Sequence, residues 1–133
     1  LMASNMSIGI ANLKQAIKSF LISSQESFEC NVVEIHHTHK VDAPSGTALE
    51  IVRFLEELPY NKIQTPITVD SHRIGDAFGT HRVEFHNPKE TISFQHIAHS
   101  RDIFASGAVA GARWIVSNSP GLYSFDDFLI KKL

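Results

Sequence analysis

Between Phe28 and Leu58 the hydrophobic pattern changes period once, and that change limits the fold more than any other feature. Phe28 to Ile35 reads as a strand, with the apolar pair Val32 and Val33 at its centre marking a buried position. Ala48, Ile51, Val52, Leu55 and Leu58 then recur at helical spacing, and Pro59 ends them. The residues between, "HHTHKVDAPSGT", put three histidines and a lysine at the C-terminal end of a strand, just before a helix begins. Ligands of open sheets bind at such strand ends.

The rest of the chain supplies the other layers. Apolar residues at 10, 13, 17, 20 and 21 predict a first helix over Ile10 to Leu21. Strands are expected from Ile67 to Arg73, from Thr80 to His86 and from Thr91 to His99. In the second, His81, Val83 and Phe85 share one face; in the third, Ile92, Phe94, His96 and Ala98 do. A last helix is expected from about Asp102 to Ser117, where Ala105, Gly107, Ala108, Ala110, Gly111 and Ala112 permit close backbone approach, with Tyr123 to Ile130 packing back. The fold class is therefore α+β with a mixed sheet.

At 133 residues the chain suffices for one domain with a core of its own. A formal net charge of -2 argues against a general nucleic-acid or membrane-surface binder. No apolar run reaches the roughly 18 to 20 residues that cross a bilayer. Cys30, as the one cysteine, excludes an internal disulfide framework and fits a reducing compartment, so a cytoplasmic protein is expected. The start at Leu-Met-Ala-Ser reads as an interior cut in something longer.

Chemically, an imidazole at the strand end both gives and takes protons near neutrality. His36 and His37 point to opposite faces if the strand persists, so only one is the chemical group. Lys40 lies four residues after His36 and would favour anions. Ser45-Gly46-Thr47 opens the second helix, whose free N–H groups form an anion site that Gly46 leaves open to a ligand. Thr47-Ala-Leu-Glu50 matches a capping box. Blander readings stand beside these: the Pro44 to Thr47 turn as a helix cap alone, and a hydrogen-bonded structural histidine. Metal binding through His37-x-His39 lacks a cysteine or well-spaced acid to complete a set, and no metal is expected.

"EIHHTHKVDAPSGTA" resembles the signature of the dihydrodipicolinate reductase family, E-x-H-H-x-x-K-x-D-A-P-S-G-T-A, at every specified position. "ASNMSIG", "RIGDAFGTHRVEF" and "HSRDIFASGAVAGARW" extend the resemblance over about Ala3 to Trp114, as the family's C-terminal domain. The resemblance implies a single substrate-binding and oligomerisation domain with helices on one face of its sheet. It implies that residues 1–8 form a hinge from an upstream Rossmann domain absent from this chain.

The activity implied is reduction of 4-hydroxy-tetrahydrodipicolinate (dihydrodipicolinate) by NADH or NADPH, in the diaminopimelate route to lysine. On that resemblance His36 and Lys40 carry protons, and His37, Ser45, Gly46 and Thr47 bind a cyclic dicarboxylate. Ala3, Ser4, Asn5 and Met6 touch the nicotinamide cofactor, with Met6 standing where relatives usually carry an aromatic. Arg101 and Phe104 would help to close the site, and the assembly would be a homotetramer. The chain alone is expected to be inactive in hydride transfer, since nothing in it holds the cofactor's pyrophosphate. The alternative is a non-catalytic anion-binding or oligomerisation module without a cofactor domain.

Overall fold

The computed structural model describes residues 1–132. Its elements run α1 (Ile8–Ser23), β1 (Phe28–His36), α2 (Gly46–Glu57), β2 (Ile63–Arg73), β3 (Thr80–His86), β4 (Thr91–Ile97), α3 (Asp102–Ile115) and α4 (Phe125–Lys132). The four strands form one mixed sheet in the order β2-β1-β3-β4, with β1 parallel to β2 and antiparallel to β3. The α+β mixed-sheet expectation is met. Parallel pairing of β1 and β2 requires a long crossover, and α2 fills it.

Alternation decides which face is covered. His81, Val83 and Phe85 are buried on β3, while Thr80, Arg82, Glu84 and His86 are half-buried. On β4, Ile92, Phe94 and His96 are half-buried and the residues between them exposed. The inward face packs against Ile10, Leu13, Ile17 and Leu21 of α1 and Ala48, Ile51 and Leu55 of α2. Phe20, Phe28, Phe85 and Phe94 meet there with ring centroids 5.2 to 6.1 Å apart. A fully buried phenylalanine such as Phe85 contributes about 1.5–3 kcal/mol relative to exposure. Cys30 lies in this core, and burial pushes its thiol up to about 12, which leaves it inert.

Several boundaries differ from the sequence reading, most at β2 and β4. β2 begins at Ile63, four residues early, because Pro66 is tolerated on an edge strand and the register shifts opposite it, between Glu29 and Asn31. β4 stops at Ile97 instead of His99, and the expected packing-back tail is the helix α4. α4 seats Phe125 and Phe128 on Ala11 in a second apolar cluster. As its small residues predicted, α3 comes close to its neighbours: a Cβ on Gly107 would collide with the Met6 carbonyl, and one on Gly111 would sit 2.6 Å from Leu1. Among the described residues, no helix is long and apolar enough to cross a membrane.

Candidate active site

The C-terminal end of β1, the N-terminus of α2 and the segment Ala3–Met6 surround a cleft of about 720 Å³. His36, His37, Lys40, Ser45, Gly46 and Thr47 all line it, and so does Phe104 from α3. Arg101 does not. It is exposed beside a smaller hollow shared with His37 and His39, around the corner from the cleft.

The strand ends at His36, so His37 is not forced to the opposite face and both imidazoles reach the cleft. His36 is buried and His37 half-buried. Burial holds His36 below its ordinary pKa, with the Glu34 carboxylate pulling the other way and Lys40 and Arg73 adding to the depression. Lys40 Nζ is paired with Asp42 at 3.0 Å. That hydrogen bond holds the Asp42 carboxyl below its usual range. Asp42 is largely exposed and solvent screens its pair with Lys40, so an anionic ligand can displace it.

Helix α2 is capped differently from the T-x-x-E reading. Ser45 is the N-cap, its Oγ accepting from Ala48 N–H at 3.1 Å. Thr47 Oγ1 instead accepts from Asn5 Nδ2 at 2.7 Å, and Glu50 is bound to Lys14 at 2.9 Å and to Ser4. The capping box does not form because its two residues are engaged by the Ala3–Met6 segment and by Lys14. Gly46, the first residue of the helix, has nothing within 4 Å of where a Cβ would stand. A side chain there would enter the open cleft and leave the protein interior untouched. Gly46→Val should therefore keep wild-type thermal stability and lose at least tenfold in affinity for a planar dicarboxylate; unchanged affinity would show that ligands do not approach this backbone.

Sequence reasoning missed the row behind the histidines. Glu34 pairs in register with His81, and His81 with His96, so three inward side chains line up across β1, β3 and β4. Glu34 is fully buried, bonded through Oε2 to His36 Nδ1 and through Oε1 to Arg73 at 2.9 Å and Ser45 N–H at 3.3 Å. Burial works against its charge, but hydrogen bonds from Arg73 and Ser71 and the charges of His36 and Arg73 prevail and keep its carboxyl low. The signal was available: Glu34 shares the inward face with Val32 and Cys30, where a charge needs partners.

Glu34, His36 and His81 also bring three ligand atoms within 4.8 Å of one another, a set the His37-x-His39 reading did not consider. Both Glu34 oxygens are already committed to Arg73, Ser45 and His36, so the set works as a hydrogen-bond network.

His81 donates to or accepts from Ser45 Oγ at 3.2 Å and meets the His36 ring edge-on at 5.0 Å. Burial, with His36 nearby, pushes its pKa down to about 4 from 6.5. Between those two values an unfolded chain takes up a proton that the native chain refuses, so stability must fall as pH drops through that window. One group contributes at most about 1.4 kcal/mol per pH unit. Urea unfolding at pH 7 and pH 5 should show a loss that shrinks in His81→Gln, and equal losses would refute a neutral buried His81.

The family described as "Dihydrodipicolinate reductase, C-terminus" matches residues 9–129. The chain belongs to this family. A 4-hydroxy-tetrahydrodipicolinate reductase of Bdellovibrio bacteriovorus is 39% identical over 99% of the chain and 56% of its own length. Another, from Nitratiruptor sp., is 40% identical over 97% of the chain and 57% of its own length. The chain thus spans about half the length of the curated relatives it matches. A structure described as dipicolinate-bound dihydrodipicolinate reductase from Paenisporosarcina sp. TG-14 superposes with a TM-score of 0.73. It shares 20% identity and aligns with 94% of this chain and 52% of its own, which establishes the common fold. Within this dihydrodipicolinate reductase domain, the signature residues His36, His37, Lys40, Asp42, Ser45, Gly46 and Thr47 line the cleft, and Glu34 stands behind it.

Proposed function

We propose that this domain binds substrate and transfers protons in a nicotinamide-dependent reductase that converts 4-hydroxy-tetrahydrodipicolinate (dihydrodipicolinate) to tetrahydrodipicolinate in lysine biosynthesis. The observation that carries the proposal is the meeting in one cleft of buried His36, Lys40 in an ion pair with the exposed Asp42, and the open N-terminus of α2 at Gly46. Dipicolinate, which the Paenisporosarcina reductase binds, is the planar relative of such a substrate.

One ring carboxylate meets the N–H groups of Gly46 and Thr47, where the helix dipole favours negative charge. Lys40 exchanges Asp42 for the same ligand. NADH or NADPH supplies the hydride when bound. Ala3, Ser4, Asn5 and Met6 fit that role as a short wall of the cleft, and an upstream dinucleotide-binding domain would hold most of the nucleotide. Asn5 ties this wall to the anion site through Thr47. The proton that completes the reduction comes from the His36–Lys40 pair. Phe104 shields the cleft from α3, whereas Arg101 would need a movement to reach it.

A tetramer built through the polar sheet face of Arg82, Glu84, Ser93 and Gln95, working in the cytoplasm, completes the proposal. The test is NADH or NADPH oxidation by the full-length protein carrying this domain. Cofactor consumption should require the cyclic substrate, and no substrate-dependent consumption with either nucleotide would overturn the reading.

A further inference from the structure

Resting on that reductase reading, we propose that Glu34 is the positioning residue for both halves of the site. Its Oε2 fixes His36 as the Nδ1–H tautomer, with Nε2 turned to the cleft. Its Oε1, together with Arg73, anchors the Ser45 end of the anion-binding helix. One buried carboxylate then sets the geometry of proton transfer and of substrate carboxylate binding together.

Hydrogen-bond bookkeeping supports this. Glu34 is wholly buried and ionised, so its Oε2 can only accept, and His36 Nδ1 must donate. The other ring nitrogen is then the unprotonated one. His36 Nε2 lies on the Gly79 side, 3.0 Å from where a Cβ on that glycine would stand, and Gly79 lines the cleft. Glycine at 79 leaves the space the ring occupies.

Arg73, opposite His36 on the neighbouring strand, is held by Glu34 and by the carbonyl oxygens of His72 and Asp42. Its charge offsets that of Glu34, so the carboxylate does not repel a dianionic ligand at the helix terminus a few ångströms away. The groups facing His36 from each packed element are Glu34 of β1, Lys40 of the following loop, Arg73 of β2 and His81 of β3, with His96 of β4 behind His81.

Replacing Glu34 with Gln separates this role from mere packing. Arg73 and Ser45 N–H both present donors at the Oε1 position, so the amide oxygen must turn to them. The amide NH2 then faces His36 Nδ1, which can no longer carry a proton. The tautomer must invert, and the nitrogen that faces the cleft becomes a donor only.

The decisive measurement is nitrogen-15 NMR of histidine-labelled chain. Wild type should show His36 protonated at Nδ1 and bare at Nε2, and Glu34→Gln should show the reverse. In the full-length reductase the same variant should lose roughly 10²- to 10⁴-fold in kcat, the cost of a wrong tautomer. It should also unfold at a lower temperature because Arg73 loses its buried counter-charge, so kcat is compared on folded protein. A wild-type His36 protonated at Nε2 overturns the proposal whether or not the variant folds, and so does a variant with the wild-type tautomer. Pyridine-2,6-dicarboxylate binding by the wild-type chain tests the reductase reading separately: failure to bind with the Nδ1–H tautomer intact contradicts that reading alone.

Discussion

His36→Ala should lower kcat of the full-length reductase by roughly 10²- to 10⁴-fold, the range that a positioned general acid or base contributes. Binding should suffer far less. The Gly46 and Thr47 amides and Lys40 are separate from the imidazole, so affinity for pyridine-2,6-dicarboxylate should change by less than about tenfold. Folding should persist as well, because Glu34 keeps Arg73 and Ser45 N–H as partners when His36 is gone. Turnover close to wild type in a folded His36→Ala protein would remove this histidine from proton transfer and leave Lys40 as the remaining candidate.

Gly107→Ala is the second large effect, and it acts through backbone. The added methyl would collide with the carbonyl oxygen of Met6, which cannot swing aside as a side chain can. Either α3 or the Ala3–Met6 wall must move. Overpacking of this kind costs about 1–3 kcal/mol, and a rigid backbone contact belongs at the upper end. Because Ala3–Met6 lines the cleft where we propose the nicotinamide sits, the KM for that cofactor should rise as stability falls. Gly121→Ala is the matched control, since its new methyl would meet only the Tyr123 ring at 3.5 Å, an ordinary contact. Equal stabilities for the two alanine variants would show that α3 does not pack against the Met6 backbone.

Period and turn chemistry made most of the fold legible. The inward sets His81-Val83-Phe85 and Ile92-Phe94-His96 could be read because strand side chains alternate regardless of tertiary context. The first turn of α2 could be located, but its cap could not be assigned. Thr47 and Glu50 are claimed by Asn5, Ser4 and Lys14, partners more than 35 residues away, and no local pattern reports such contacts.

The same limit applies at the site. The string from His36 to Thr47 is contiguous, so its chemistry could be read directly. Arg73 and His81 reach Glu34 and Ser45 only through strand pairing, and which strand lies beside β1 is a property of the whole sheet. Arg101 illustrates the converse. Its motif was legible, but its side chain sits at the start of α3, facing a different hollow.

On the proposed reading, this domain holds a ring dicarboxylate between Lys40 and the N-terminus of α2. Calorimetric titration of the chain with pyridine-2,6-dicarboxylate measures that binding. Saturable one-to-one binding is expected, weakened at least tenfold in both Gly46→Val and Lys40→Met while His36→Ala stays near wild type. Binding that is indifferent to Gly46 and Lys40, or no binding at all by a folded chain, would mean that this cleft does not hold the ring carboxylates.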